Sequence, residues 1–299
     1  MKKILALLLV LAMVLALCAC GEDKKDPQGA DTAAEETKTE GSSEEIIVSE
    51  GPGAEIPSGD PADQAPADQA PADPAPADQT SADQTPAVMS YAEYAAAEED
   101  SPVVVETYVQ DHQNWWNGEI TVYAESPEAD GTIGAYFIYR MACSEEDAAK
   151  LVPGQKIRVT GYKSEWNGEI EIIDASFELL EANPWIAKPV DIAEDWGTLN
   201  MNNHQNQLIL LKDAVIVEYD ESGAAFAYEN PNEKTDDLYF KAAINGLTYT
   251  FCVESYLRGS DTEVYKAVEN LKVGDTVDIV GFLYWYNGPN VHTTEITVK

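Results

Sequence analysis

Alternating apolar and polar residues predict short β-strands throughout the C-terminal two thirds of the chain. Ile157 and Val159 occupy one face of such a segment, and Val277 and Ile279 repeat this arrangement 120 positions later. A period of two residues is typical of strands that are buried on one face. The segments fall into two runs, and a short helical pattern interrupts each run once.

The first run covers residues 89–182. A capping box at residues 90–93 begins a short helix, and Ser144 caps a second helix further along the chain. The strands predicted around these helices are residues 103–110, 119–125, 135–141, 155–162 and 169–178. An Asn-Gly pair at residues 167–168 favours a tight hairpin between the last two strands.

The second run covers residues 207–299 and follows the same order. Residues 260–263 are predicted to cap its helix, and an acidic insertion at residues 230–237 is predicted to interrupt its second strand. The strands expected in this run are residues 207–219, 224–229 continued by 238–244, 247–253, the segment containing Val277 and Ile279, and 291–298.

The two runs contain one pattern written twice. Residues 151–168 read LVPGQKIRVTGYKSEWNG and residues 271–288 read LKVGDTVDIVGFLYWYNG. Three strands, a helix and two strands is the connectivity of the OB-fold. We therefore predict a mainly β protein with two tandem OB-fold-like five-stranded Greek-key barrels of order β-β-β-α-β-β, joined by residues 183–206.

The stretches ITVYAES, YFIYRMACSEEDAAKLVPGQKIRVTGYKSEWNGEIEI, FCVESYL and VDIVGFLYWYNG resemble tandem OB-fold lipoproteins of gut Firmicutes. The resemblance covers roughly residues 88–299. It implies the barrel fold and an envelope location. Because the family has no assigned activity, it transfers no catalytic residue to this chain.

The N-terminus predicts export and lipid anchoring. Lys2 and Lys3 precede an apolar segment, residues 4–17, that is too short for a permanent bilayer-spanning helix. The following Leu-Cys-Ala-Cys resembles a bacterial lipobox in which Cys20 is acylated and residues 1–20 form the signal. The alternative is an ordinary secretory signal. Acylation predicts that the mature chain is held on the extracytoplasmic side of the bacterial cell membrane.

Residues 21–88 are predicted to form a disordered acidic linker. From Pro61 onward the chain runs PADQA PADQA PADPA PADQT SADQT. Such a Pro/Ala/Asp-rich repeat contains too little apolar surface to offset the entropy lost on ordering. The linker would therefore hold the barrels away from the membrane surface.

Charge argues against nucleic acid as a partner. The formal net charge is −36, and residues 91–182 and 183–299 carry −14 and −10 of it, so both barrels are acidic. Affinity for a phosphate backbone comes largely from clustered lysine and arginine. The acidic surface also fits simple solubility.

Candidate chemistry is sparse. His112, His204 and His292 have no metal or catalytic-triad spacing, and Glu169 and Glu171 alternate on a strand face predicted to point outward. Nothing in the pattern supplies an apolar pocket that would raise a carboxyl pKa. We therefore expect neither an enzyme nor a cofactor.

Two further features were weighed as sites. Residues 229–237 have enough oxygen ligands for weak Ca²⁺ binding but lack the spacing of an EF-hand, so no metal site is predicted. Cys143 and Cys252 are expected to be small buried residues, the alternative being a disulfide between the barrels.

The strongest binding signal is aromatic. OB-folds bind ligands with the face of strands 2 and 3 and with the loops joining strands 1–2 and 4–5. The candidate ligand-binding residues in those loops are Trp115, Trp116, Trp166, Tyr284, Trp285 and Tyr286. They would stack on a ligand, or pack across the hairpins. Packing is favoured for Trp116 and Trp166, and exposure for Trp115 and Trp285.

Three functions are consistent with these patterns. The preferred one is a membrane-anchored, non-catalytic binding module whose aromatic loops contact a glycan or a peptide. The second is a structural or protein–protein interaction module that engages another envelope protein. The third is a nucleic-acid-binding protein, which rests on fold analogy alone and is opposed by the charge.

Lipidation predicts a difference between two neighbouring cysteines. Cys20→Ser should abolish incorporation of a labelled fatty acid, because the acylated thiol is lost. It should also abolish cleavage of the signal peptide, residues 1–20. Cys18→Ser, the matched control, should be labelled normally. Metabolic labelling with mass spectrometry of the mature N-terminus checks this, and equal labelling of both variants would contradict the lipobox assignment.

Overall fold

The computed structural model describes residues 87–299, and all of them belong to one compact unit of the chain. The predicted signal peptide, Cys20 and residues 21–86 of the predicted linker lie outside the described residues. Within residues 87–299, no helix is long and apolar enough to cross a membrane.

The first barrel contains five strands and two short helices. Its strands close in the order β1-β2-β3-β5-β4, with β3 and β5 parallel and the other neighbours antiparallel. The elements are α1 (Tyr91–Ala96), β1 (Pro102–His112), β2 (Glu119–Pro127), β3 (Ile133–Ala142), α2 (Glu145–Ala148), β4 (Lys156–Trp166) and β5 (Glu169–Leu180).

The second barrel repeats this arrangement. Strands β7, β9, β10, β12 and β11 form its ring, which pairing between β7 and β9 closes, and β10 and β12 are its parallel pair. The elements after β5 are β6 (Val190–Asp191), a 3-10 helix (Leu199–His204), β7 (Leu208–Val217), β8 (Phe226–Tyr228), β9 (Leu238–Ile244), β10 (Leu247–Val253), α3 (Glu263–Val268), β11 (Thr276–Trp285) and β12 (Pro289–Val298).

The prediction of two tandem OB-fold barrels is therefore confirmed, and the copied segments are equivalent in the two barrels. Each supplies the end of the helix region, the fourth strand and the hairpin to the fifth. At the first hairpin, Asn167 and Gly168 have φ angles of 50° and 89°, which is the positive-φ geometry expected of an Asn-Gly turn.

The interpretation of β8 as the beginning of the second strand is wrong. Phe226 and Tyr228 pair antiparallel with Phe240 and Leu238, so β8 folds back on β9 as a hairpin at the edge of the barrel. The acidic insertion is the loop of this hairpin, and the Glu229 amide donates to the Asp237 carbonyl at 2.8 Å across its base. The insertion therefore ends a strand instead of interrupting one.

Helix capping was predicted well with one exception. The Ser90 hydroxyl and the Glu93 carboxylate form the reciprocal capping box of α1, and the Ser144 side chain accepts from the Asp147 amide to cap α2. In α3 the cap is Thr262, which accepts from the Tyr265 amide, and not the earlier serine of residues 260–263. Cap position is commonly uncertain by two residues when several capping residues adjoin.

Each barrel encloses its own apolar core. Alternate residues of the strands form these cores. Ile157 and Val159 in the first barrel and Ile279 in the second are examples, and all three are inaccessible to solvent. Cys143 and Cys252 are buried and free, as expected. Trp196, from the segment joining the barrels, packs against Tyr249 and Phe251.

β2 departs from one-sided burial. Ile120 and Val122 face the core of the first barrel, yet the alternate residues Tyr123 and Glu125 are also buried. A strand whose two faces are both buried needs a second cover beyond its own barrel. Here the second barrel provides it.

A close backbone approach makes one repeated glycine essential. A Cβ at Gly161 would lie 2.7 Å from both Ile172 Cγ2 and the Ile173 carbonyl oxygen. We expect Gly161→Ala to lower the free energy of unfolding by about 1–3 kcal/mol, because β4 and β5 must move apart.

Gly259→Ala is the control, since its nearest contact is 3.3 Å from a flexible carboxylate oxygen. Urea unfolding of both variants checks the difference. Equal stability would show that the β4–β5 contact is more tolerant than its geometry indicates.

Candidate functional site

The outer face of the first barrel packs against the second through an aromatic cluster, called here the joint. Tyr123 stacks on Phe282 with ring centroids 4.4 Å apart, and Phe137 contacts Tyr284 at 5.2 Å. These four rings and Leu257 form one buried cluster. Tyr123 and Phe137 come from strands β2 and β3 of the first barrel. Phe282 and Tyr284 come from β11 of the second barrel. The joint therefore occupies the strand 2–3 face that OB-folds commonly use for ligands.

A buried histidine lies in the middle of the joint. His292 Nδ1 is 2.6 Å from Tyr123 Oη, and the Tyr284 ring stacks on the imidazole at 4.3 Å. Burial lowers the pKa of His292 to about 3, and burial raises the pKa of Tyr123 well above its usual value. Both groups are neutral at physiological pH, and which of them donates in this hydrogen bond depends on the tautomer of the imidazole. His292 is thus a packing residue of the joint.

Three carboxyl groups are buried at the same boundary. Glu125 accepts a hydrogen bond from the Leu208 amide, and Glu169 accepts from the Trp285 amide at 2.7 Å. Burial raises the pKa of Glu125 and of Glu171 to about 7 and that of Glu169 to about 8. The charge of Glu171 adds to the increase at Glu169.

These carboxyls correct two expectations. Glu169 and Glu171 do lie on the outer face of the first barrel, but they are 0% and 7% exposed, not open to water. An environment that raises carboxyl pKa values therefore exists, although the sequence pattern gave no sign of it. It results from contact between the barrels and not from a pocket within either one.

The two copied hairpins meet at their tips. The Asn287 amide donates to the Asn167 carbonyl at 2.8 Å, and the Trp166 and Tyr286 rings lie 5.2 Å apart. Trp285 covers Gly168 so closely that a Cβ there would be 2.8 Å from the indole Cδ1. The turn glycine is needed for this approach as well as for its positive φ.

The joint and the two hairpin tips together therefore contain four of the six predicted aromatic residues. Tyr284 is buried, and Trp166, Trp285 and Tyr286 are half-buried. Trp285 packs against the core of the second barrel, so the expectation that its ring is exposed is wrong. Contact between the barrels accounts for these aromatics without a ligand.

The order of exposure expected for the first loop is also reversed. Trp115 is half-buried against the first core and donates from Nε1 to the Cys143 carbonyl at 2.8 Å. Trp116 is 66% exposed. The indole nitrogen of Trp115 finds a backbone acceptor only when its ring turns inward, which leaves the neighbouring ring outside.

The exposed tryptophan lies on a loop connected to the second barrel. The Asn114 amide donates to the Tyr256 carbonyl at 2.8 Å, and Arg258 forms an ion pair with Asp111. Tyr256 is itself 43% exposed. Residues 111–118 and 254–259 are called here the aromatic rim. Sequence reasoning missed Tyr256 because it follows a third strand, outside the loops that OB-folds commonly use.

The other candidates have structural partners. His204 hydrogen-bonds Gln207 and Asp195, and the carboxylate of Asp237 in the acidic loop accepts from the Ser255 amide. Among residues 87–299, no group of three histidine, cysteine or acidic residues is placed to hold a metal ion.

Comparisons with known proteins give distant structural likenesses. No family model matches the chain, and no curated protein matches it either. Among solved structures, the chain is similar to the tetrameric p202 HIN2, with 14% identity, coverage of 68% of this chain and 96% of that chain, and a TM-score of 0.30.

Two other solved structures are similar at the same level. A murine DNA-binding protein bound to double-stranded DNA is 11% identical over 66% of this chain and 96% of its own, with a TM-score of 0.32. A deletion mutant of the single-stranded DNA-binding protein from Thermus aquaticus is 12% identical over 66% and 93%, with a TM-score of 0.23. DNA binding is a property of those proteins.

The buried carboxyls predict that stability falls as pH rises. Glu169 has a pKa near 8 in the folded chain against an ordinary value of 4.5, so folding takes up a proton between those values. Its contribution is fully present below about pH 4.5 and is lost as pH rises through 8.

Glu169→Gln should therefore raise the melting temperature more at pH 8 than at pH 5, because it removes the cost of a buried charge. The control is Glu165→Gln, an exposed residue of the preceding strand, which should change neither value. Calorimetry across this pH range measures the effect. An unchanged pH profile in Glu169→Gln would assign the dependence to other groups.

Proposed function

We propose that the chain is a lipid-anchored extracytoplasmic binding module that recognises a glycan without chemically altering it. The anchor is the predicted acylation of Cys20. The two barrels act as one body, because the joint buries aromatic rings of both barrels and carboxyl groups of the first. The aromatic rim is the ligand-contacting surface.

The observation that carries this proposal is the exposure of Trp116. A tryptophan that is 66% exposed, close to a hydrogen bond linking two loops, has a large apolar face in contact with water. Tyr256, 43% exposed, adds a second ring on the other loop. Flat aromatic faces suit the apolar faces of sugar rings, while the ring hydroxyls stay hydrated.

Charge favours a neutral ligand at this rim. Residues 91–182 and 183–299 carry net charges of −14 and −10, which repel a phosphate backbone and leave an uncharged sugar unaffected. The strand 2–3 face of the first barrel, a common nucleic-acid surface of OB-folds, is covered by the joint. The charge supports a glycan over a nucleic acid, and the covered face, which OB-folds use for both kinds of ligand, directs either one to the rim.

The raised carboxyl pKa values are assigned to the joint and not to catalysis. Glu125, Glu169 and Glu171 are 1%, 0% and 7% exposed, and Glu125 and Glu169 accept backbone hydrogen bonds from Leu208 and Trp285 of the second barrel. A general acid must reach its substrate. Glu125 and Glu169 contact the second barrel, and Glu171 is buried beside them.

The rim predicts a selective loss of binding. Trp116→Ala should weaken the affinity for cell-wall or dietary oligosaccharides by about tenfold or more, which corresponds to roughly 1.4 kcal/mol, while the melting temperature stays unchanged because the ring is exposed. Isothermal titration calorimetry with the full chain measures this.

Tyr162→Ala is the matched control, since Tyr162 is a 46% exposed ring outside the rim. Unaltered affinity in Trp116→Ala would refute the rim as the binding surface. Salt-sensitive binding of single-stranded DNA would refute the choice of ligand. Binding of peptides in place of glycans would retain the rim and replace its ligand class.

A further inference from the structure

A separate cleft lies beside α1, where the first barrel meets the segment before the second. It encloses about 200 Å³. We call it the α1 cleft, and its polar lining includes Tyr94, Lys163, Asn202, Gln205 and Asn206. At roughly 30 Å³ per water molecule, the volume holds about seven waters, which is room for one small ring and not for a chain.

Tyr94 gives the first indication of a ligand. The residue is 2% exposed, and its hydroxyl has no hydrogen-bond partner among the residues that the structure describes. Leaving a buried hydroxyl unpaired costs free energy, so most such groups have a protein or solvent partner. Because Tyr94 lines the α1 cleft, a molecule bound there can supply the missing partner.

The amides of the cleft give the second indication. Gln205 donates from Nε2 to the Gly168 carbonyl at 2.8 Å, and Asn206 donates from Nδ2 to the Ile170 carbonyl at 2.9 Å. Gln205 also donates from Nε2 to Glu169 Oε2 at 3.3 Å, so in both residues the amide oxygen is the group that can accept from a ligand. A ligand that donates hydrogen bonds, as hydroxyl groups do and carboxylates do not, suits these acceptors.

Lys163 supplies a complementary donor. Its ammonium group donates to the Ala95 and Ala97 carbonyls at 2.7 and 2.8 Å, which leaves one of its three N–H groups for a ligand. The Asn202 amide adds a group that both donates and accepts. This mixture of donors and acceptors matches hydroxyl groups, each of which does both.

We propose that the α1 cleft binds a single neutral sugar ring, with Tyr94 Oη hydrogen-bonded to one of its hydroxyls. The site rests on the proposed function, since it assumes access to glycans, and adds a position distinct from the aromatic rim. The aromatic rim would bind an oligosaccharide, and the α1 cleft would bind a single monosaccharide unit of the same oligosaccharide or of another one.

The decisive variant is Tyr94→Phe, which removes only the hydroxyl. Among residues 87–299 this oxygen has no hydrogen-bond partner, so its removal should leave the melting temperature unchanged or slightly raised. Affinity for the cognate monosaccharide should fall about five- to tenfold, the effect of one lost hydrogen bond. If Tyr94 had only a structural role, Tyr94→Phe would leave the affinity for the monosaccharide unchanged.

The second variant is Asn202→Ala, with Asn203→Ala as the matched control. Both asparagines are exposed on the same 3-10 helix, but only Asn202 lines the cleft. Asn202→Ala should weaken the binding of the monosaccharide, and Asn203→Ala should not.

The probes are glucose and N-acetylglucosamine, with glucuronate as the anionic counterpart, titrated into the full chain and followed by saturation-transfer NMR. A neutral sugar should bind and glucuronate should bind more weakly. Preference for glucuronate, silence toward both neutral sugars, or unaltered affinity in Tyr94→Phe would each overturn the proposal.

Trp116→Ala separates this site from the rim. It should leave monosaccharide binding in the cleft intact while weakening oligosaccharide binding. Loss of oligosaccharide binding in Trp116→Ala together with no monosaccharide binding to the native chain would support the rim and overturn the cleft. The converse result would support the cleft and overturn the rim.

Discussion

The hydrogen bond between Tyr123 and His292 fixes how the two barrels meet, and the remaining features of the joint depend on it. It joins β2 of the first barrel to β12 of the second at 2.6 Å, inside a shell of stacked rings. Once these two residues are paired, the Tyr284 ring lies on the imidazole and the copied hairpins meet at Asn167 and Asn287. A tandem of barrels thereby becomes one body, and each barrel loses a surface that an isolated OB-fold would present to solvent.

Neutrality is the condition that makes such a joint stable. An ionised side chain without a buried partner costs several kcal/mol, and this boundary avoids that cost by shifting pKa values. His292, with its pKa near 3, stays deprotonated, and Glu169, with its pKa near 8, stays largely protonated at neutral pH. The shifts occur in opposite directions because burial disfavours the charged form in both cases. The molecule is strongly acidic overall, yet burial at the joint raises the pKa of Glu125 and Glu171 to about 7 and that of Glu169 to about 8, so these carboxyl groups carry less charge at neutral pH than exposed ones.

The barrels could be predicted from the sequence because alternation, capping and Asn-Gly turns are local signals. The joint could not, since it depends on pairing between residues 169 positions apart, such as Tyr123 and His292. On β2, Tyr123 and Glu125 have the polarity expected of an outward face, and only the presence of the second barrel buries them. Aromatic hairpin tips give the same sequence signal whether they stack on a ligand or on another hairpin. The prediction for β8 was wrong because a polar insertion gives the same sequence pattern whether it interrupts one strand or connects two strands.

The divergence of the two copied hairpins has a structural explanation in this contact. If the two hairpin tips had identical sequences, each side chain would face its own equivalent, for example one glycine opposite the other. Here the first tip offers an open glycine, Gly168, and a carboxyl acceptor, Glu169, while the second offers the ring and amide of Trp285 that fill them. Duplication supplied two equal frames, and change at the tips made them complementary. Trp116 lies on the loop between β1 and β2, outside the joint and outside both copied hairpins, and its 66% exposed ring is the basis of the proposed ligand contact.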